Sequence, residues 1–388
     1  MAYSSISSRK RRCKTCVHLC LSLNKPIISD LSDLLQPIVA GHSRPIGVVR
    51  CETGTRQNLV GEIMQWFDAP NHRPICWLNG PPGSGKSAVA QTIAETYGRH
   101  KRLVASFFGF RNLGCEFAEM AHFIHTLAFQ LSTSVPTTKP KIQRVLQNDR
   151  TILRQSLSTQ FTTLLIEPIT AAIQEIGPSP VTPKVIVIDA LDEYKDDSLM
   201  AEFLRILINA CVEHRPFPFR VLLTSRVPLW GKLESRTTQS FTHNLDLQKF
   251  DASEDISKFF RSRLSTIYGE KRVLMKEILP PWPSDPDIET LVQKAKGSFL
   301  HAVKIIDFIE NGVPHRKLKE SLKSDDGLGH RRSWPSGLLR SISRNSSKRN
   351  SHSSTTSSGS SETSSISHPL PEVTTLHNLI EHLILPCA

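Results

Sequence analysis

The chain has 388 residues, enough for two or three domains of about 100 to 200 residues each, yet its 39% hydrophobic and 22% charged residues fall short of an average globular composition and point to polar segments diluting one core. The formal net charge of +12 divides as +6 over residues 1–50, +2 over 51–310 and +4 over 311–388, so the basic character belongs to the flanks. That distribution argues against a specific nucleic-acid binder, which needs a basic stripe on a folded face.

Residues 1–50 read as a basic, mostly disordered leader. MAYSSISSRKRRCK has no apolar stretch of the kind a secretory signal requires, and no run of 18 or more apolar residues occurs anywhere. The expectation is a soluble, cytoplasmic protein with no membrane span. Cys13, Cys16, His18 and Cys20 crowd potential zinc ligands together, but a structural zinc site ordinarily draws on a second, distant ligand pair, and none follows. The scattered Cys51, Cys76, Cys115, Cys211 and Cys387 read as small hydrophobes.

Residues 75–97, ICWLNGPPGSGKSAVAQTIAETY, place an apolar run before a glycine-rich turn and an amphipathic stretch, the pattern of strand, loop and helix. Gly80, Pro81, Pro82, Gly83, Ser84, Gly85, Lys86 and Ser87 satisfy G-x-x-x-x-G-K-[ST] at every position. Glycines let backbone N–H groups converge on a phosphate with no Cβ in the way, and the following helix turns its positive end toward the same anion. Lys86 is expected to bridge the β- and γ-phosphates of ATP or GTP, and Ser87 to place its hydroxyl on Mg²⁺. The competing reading, an ordinary glycine-rich turn, does not account for eight matched positions in their context.

Residues 185–194, VIVIDALDEY, supply a second source of ligands. A fully apolar strand is buried on both faces of a parallel sheet, which puts Asp189 at the carboxyl edge as the expected Mg²⁺ residue. Asp192 and Glu193 follow, either as groups reaching a γ-phosphate or its attacking water, or as the acidic cap of a helix. Ala190 stands where fast ATPases often carry Glu, so any hydrolysis is expected to be slow, with Glu193 or Asp192 orienting water. RVLLTSR, 220–226, ends in Arg226, either a γ-phosphate sensor or a surface arginine at a strand end. With 103–110 and 243–247 these make five strands, separated by helical patterns at 117–131, 160–173 and 199–212. Alternating strand and helix predicts an α/β three-layer sandwich with a five-stranded parallel sheet and the nucleotide at its carboxyl edge.

Beyond the core, DASEDISKFFRSRLSTI has apolar residues at 256, 259, 260, 264 and 267, helical spacing after an expected N-cap at Ser253. Residues 351–365 contain twelve Ser or Thr in fifteen, too little apolar surface to offset the entropy of ordering, so 325–370 reads as a Ser-rich disordered insertion.

GPPGSGKS with VIVIDALDE resembles a NACHT domain of the STAND class of signal-transduction NTPases. CETGTRQNLVGEIMQWF (51–67), SFFGF (106–110), TLAFQLS (126–132), LLTSR and KAKGSFLHAVKIIDFI (294–309) are similar, in order, to the nephrocystin-like NACHT modules of fungal NOD-like receptors. The resemblance implies an NTPase core at 51–250, a small helical subdomain at 251–324 and, at 371–388, the start of a winged-helix segment. It implies a switch in which ATP or GTP binding with Mg²⁺ drives self-association or contact with other signalling proteins, and it places Thr55 and Arg56 in the base-binding lip. Plant-type relatives carry Gly-x-Pro where this chain has Gly297, Ser298 and Phe299. A non-hydrolysing nucleotide-binding scaffold or truncated paralogue is the alternative. A metabolic kinase or GTPase fits less well, since the only Asn-Lys pair, Asn24–Lys25, precedes the loop and lacks a following Asp.

Overall fold

Five short runs rich in β-branched and aromatic side chains become strands β1 (Ile75–Asn79), β2 (Leu103–Phe107), β3 (Lys184–Ile188), β4 (Phe219–Ser225) and β5 (Thr242–Asp246) in the computed structural model. The structure describes residues 30–43, 50–69, 73–108, 120–176, 183–193, 197–226 and 236–324. All strand pairs are parallel, in the order β2-β3-β4-β1-β5. Ile188 pairs with Leu223, and Asn79 with Ser225. The carboxyl ends of β1 and β4 therefore finish level and β3 stops two residues short of them, and whatever follows β1 and β3 meets across the end of β4.

Strand alternation divides the core into two faces. Ile75, Trp77, Ile186, Ile188, Val221 and Leu223 point to one side, toward helices α4 (Met120–Ser134), α6 (Leu157–Phe161) and α8 (Asp197–Glu213). Cys76, Leu78, Val185, Val187 and Leu222 point to the other, toward α2 (Gln57–Asp68) and α3 (Lys86–Arg99). This is the expected three-layer α/β sandwich. Helix α6 runs through a π turn at Thr162–Ile166 into α7 (Glu167–Ile176), and α5 (Lys139–Asn148) and α9 (Arg236–Phe241) complete this layer set.

Residues 30–43 differ from the expectation of a disordered leader. Helix α1 (Leu31–Leu35) buries Leu31 and Leu35 in the sheet core, with Leu34 and Ile38 packed against it. These four leucine and isoleucine positions follow the i, i+3, i+4, i+7 spacing of one helical face, which burial rewards whatever the charge of the surrounding segment. The Ile38 N–H donates to Thr126 Oγ1 at 3.0 Å, and the Phe108 N–H to the Ala40 carbonyl at 2.8 Å. The Cys13, Cys16, His18 and Cys20 cluster, residues 109 and 110 of the expected second strand, the Ser-rich stretch and 371–388 lie outside the described residues.

A second core follows β5. Helices α10 (Ser253–Glu270), α11 (Asp285–Ala295), α12 (Phe299–Glu310) and α13 (Pro314–Lys323) enclose Ile256, Phe260, Leu264 and Ile267 with Ile288, Leu291, Ile305 and Ile309. Ser253 is the first helical residue rather than the cap: the Asp251 carboxylate accepts from its N–H at 3.0 Å and its hydroxyl at 2.8 Å. A carboxylate two residues upstream is the stronger acceptor for an N-terminal donor and displaces the serine from that role.

Candidate functional site

The turn after β1 needs two residues without side chains. Gly83 holds φ +79°, and a Cβ there would stand 2.6 Å from Leu300 Cβ and 2.7 Å from Ser298 Oγ. At Gly80 a Cβ would meet Leu247 Cβ at 2.9 Å. The loop then opens α3, whose first residue is Lys86. Lys86 is 8% exposed, and its Nζ donates to the carbonyls of Gly80 at 2.6 Å and Pro81 at 3.0 Å. Burial draws its ammonium below the ordinary lysine range, while the carboxylates of Asp192, Asp189 and Glu193 act to hold the charge. Ser84 Oγ is buried with no hydrogen-bond partner among the described residues, and Ser87 is half-buried on the first turn of α3.

Across the end of β4 stands Asp189, 2% exposed. Its backbone N–H donates to the Phe107 carbonyl at 2.8 Å, and Thr224 Oγ1 donates to its Oδ1 at 2.6 Å. The same hydroxyl accepts the Ala190 N–H at 2.8 Å, and Ala190 holds a left-handed φ of +58°. One threonine thus pins both the carboxylate and the turn behind it. The turn leads into a 3₁₀ segment, Leu191–Glu193, that aims two acidic side chains at the end of β4. The Arg226 N–H donates to Asp192 Oδ1 at 3.1 Å, its Nε lies 3.3 Å from Asp192 Oδ2, and its Nη2 donates to Glu193 Oε1 at 2.5 Å. Asp192, Glu193 and Arg226 therefore form one ion-paired group beside the phosphate loop.

The segment ahead of α2 supplies a third wall. Thr55 directs its hydroxyl into its own turn, onto the Glu52 carbonyl at 2.7 Å. Arg56, 4% exposed and at φ +55°, reaches the loop instead: Nη2 donates to the Ser84 carbonyl at 3.0 Å. Its guanidinium also lies 5.2 Å from the centre of the Phe299 ring. Beside it a cavity of about 460 Å³ is lined by Gly54, Arg56, Asn58, Phe250, Asp251 and Asp255.

The structure thus brings Gly80 to Ser87, Arg56, Asp189, Asp192, Glu193 and Arg226 to one edge of the sheet, while Thr55 lies at that edge with its hydroxyl engaged locally. Thr224 and Leu300 belong to this edge and were not singled out from sequence, and Ser298, named there only for its departure from Gly-x-Pro, belongs to it as well. Thr224 stands two residues before Arg226 in a strand already recognised, a signal that was present. The loop fits a phosphate group on the chemistry of its donors: Gly83 and Gly85 hold left-handed φ of +79° and +94°, Ser84 Oγ is buried without a hydrogen-bond partner among the described residues, and the Lys86 ammonium is met there only by loop carbonyls.

Residues 54–226 match the family model described as nephrocystin 3, N-terminal. A comparison with curated proteins found no match. Similar solved structures include the Cdc6p protein of Pyrobaculum aerophilum, at 13% identity and a TM-score of 0.41 over 74% of this chain and 66% of that one. The Aeropyrum pernix ORC2 protein, solved in ADPNP–ADP complexes, aligns at 10% identity and a TM-score of 0.40 over 68% of this chain and 64% of its own. The FIGL-1 AAA domain in complex with ADP aligns at 14% identity and a TM-score of 0.32, over 72% of this chain and 80% of that one. The chain spans about two thirds of the length of the first two. Among the described residues, no helix is long and apolar enough to cross a membrane.

Proposed function

We propose, from the match of residues 54–226 to the nephrocystin 3 N-terminal family model, that the chain is a nucleoside-triphosphate-binding switch of the STAND/NACHT type. It acts in the cytoplasm through nucleotide-dependent self-association or contact with other signalling proteins, and hydrolyses ATP or GTP slowly. The observation that carries this reading is the placement of Lys86 on the phosphate loop with the buried Asp189 across the end of β4. The loop amides and Lys86 would hold the phosphates, and Ser87 with Asp189 would hold Mg²⁺. When bound, Mg²⁺ supplies neutralisation of phosphate charge. The protein's own part is to keep the lysine charged in a buried place, which the three carboxylates favour, and to exclude water from the loop with the side chains of the helical subdomain.

Slow turnover follows from the ion-paired group. Both carboxylates that would orient a water, Asp192 and Glu193, are already engaged by Arg226. Orienting water therefore requires Arg226 to leave them, an added step before chemistry. The same pairing supports the second reading, a scaffold that binds nucleotide without turning it over.

Mass spectrometry of nucleotide released from protein purified without added nucleotide tests the proposal directly. Retained ADP, or binding of Mg·ATP by the folded wild type with Lys86→Ala weaker by at least about tenfold, is the expected result. A folded wild type that binds neither Mg·ATP nor Mg·GTP overturns it. Single-turnover assays separate switch from scaffold, because only the switch loses its rate in the Asp192→Ala/Glu193→Ala double variant.

A further inference from the structure

The edge residues described above are touched by a part of the chain that carries none of the loop chemistry. The Leu300 N–H, at the start of α12, donates to the Gly83 carbonyl at 3.3 Å. Ser262 on α10 donates to Glu52 Oε1 at 2.9 Å. Between these two contacts lies the Arg56 guanidinium, with Asp255 Oδ2 of α10 3.8 Å from its Nε and the Phe299 ring of α12 against its face. We infer that Arg56 is a positioning residue that couples the phosphate loop to the helical subdomain, because its single guanidinium holds the Ser84 carbonyl on one side and Asp255 with Phe299 on the other.

Two features make this a coupling device rather than a static strut. The guanidinium is planar and rigid, so its fork and its face cannot be reoriented independently: a shift of the loop carbonyl tilts the plane that Asp255 and Phe299 contact. The cation is also under-satisfied, since Nε and Nη1 are buried with no hydrogen-bond acceptor among the described residues and Asp255 stands at ion-pair rather than hydrogen-bond range. A buried donor left without an acceptor is unfavourable. The docked arrangement is therefore one that a better acceptor for Arg56, brought to either side, will shift. The close approach of Gly83 to Ser298 and Leu300 gives the subdomain a second contact that depends on the shape of the loop. By linkage, whatever stabilises one loop shape biases the subdomain, and the subdomain biases ligand affinity by the same factor.

The consequence for nucleotide rests on the switch reading, whereas the coupling itself does not, and the test keeps them apart. In the full-length, nucleotide-free protein, hydrogen–deuterium exchange is measured in peptides covering 80–88 and 298–302. Asp255 lies on α10, outside the loop sequence, and pairs with Arg56, yet Asp255→Asn is expected to raise exchange in both peptides several-fold. Arg56→Lys, which keeps the charge but loses the fork, is expected to do the same. The double variant is expected to add little to the larger single effect, and Glu254→Gln, at the exposed neighbour, is expected to change neither peptide. Loosening confined to α10 in Asp255→Asn, or fully additive effects in the pair, overturns the inference. In a second arm, Asp255→Asn is expected to weaken Mg·ADP binding several-fold, and an unchanged Kd overturns the link to nucleotide. Absence of any nucleotide binding by the wild type removes the switch reading, while the exchange arm still decides the coupling.

Discussion

Asp189 is only 2% exposed, and a carboxylate so placed needs hydrogen-bond donors to replace the water it has lost. Thr224 provides one at 2.6 Å and at the same time accepts the Ala190 N–H. Thr224→Val keeps the volume and removes both bonds, so the buried acceptor and the buried donor each lose this partner. At about 1 to 3 kcal/mol for each group left without it, the variant is expected to lose roughly 2 to 6 kcal/mol, read as a lower urea midpoint at unchanged slope. Thr224→Ser retains the hydroxyl and is expected to lose much less; equal loss in the two variants would assign the effect to the methyl group instead. The eight loop positions were legible in sequence because they are contiguous and their types are dictated by backbone geometry. Thr224 was not, since its partner lies thirty-five residues away and only the β3–β4 register puts them side by side. Arg226 shows the same limit: its place at a strand end was readable, but its pairing with Asp192 and Glu193 depends on the turn after β3.

At the scale of elements, the strands and the apolar helices declared themselves by periodicity, and the expected stretches 160–173 and 199–212 fall within 157–176 and 197–213. The strand order did not, because adjacency of β1 to β4 and β5 is decided by crossovers whose helices look alike in sequence. Helix α1 is the instructive omission. Its leucines carry helical spacing, but they are embedded in a segment whose basic average suggested a solvated leader, and average charge says nothing about one buried face. If α1 is structural, Leu35→Ala should cost about 2 to 5 kcal/mol, the range for emptying a core leucine site, in urea unfolding. A change below 0.5 kcal/mol, within the range of surface substitutions, would show that the segment merely rests on the surface.

For the molecule as a whole, the buried residues form a sheet core on two faces and a separate helical core, and these meet at the phosphate loop through Gly83, Arg56 and Glu52. Stability and ligand state are then linked across both. A ligand held at one hundred times its Kd adds about 2.7 kcal/mol to the state that binds it. At roughly 2 to 4 °C per kcal/mol for modules of about 150 to 250 residues, saturating Mg·ADP is expected to raise the melting temperature by about 5 to 10 °C. Because the subdomain docks on the loop itself, the shift should carry both cores together, and differential scanning calorimetry should show the helical core melting with the sheet rather than ahead of it. Lys86→Ala, folded but binding nucleotide at least about tenfold more weakly, should show no more than about half of that shift. Two transitions, with only the sheet transition moving on Mg·ADP addition, would mean that the subdomain takes no share of the binding energy and that nucleotide state stops at the loop.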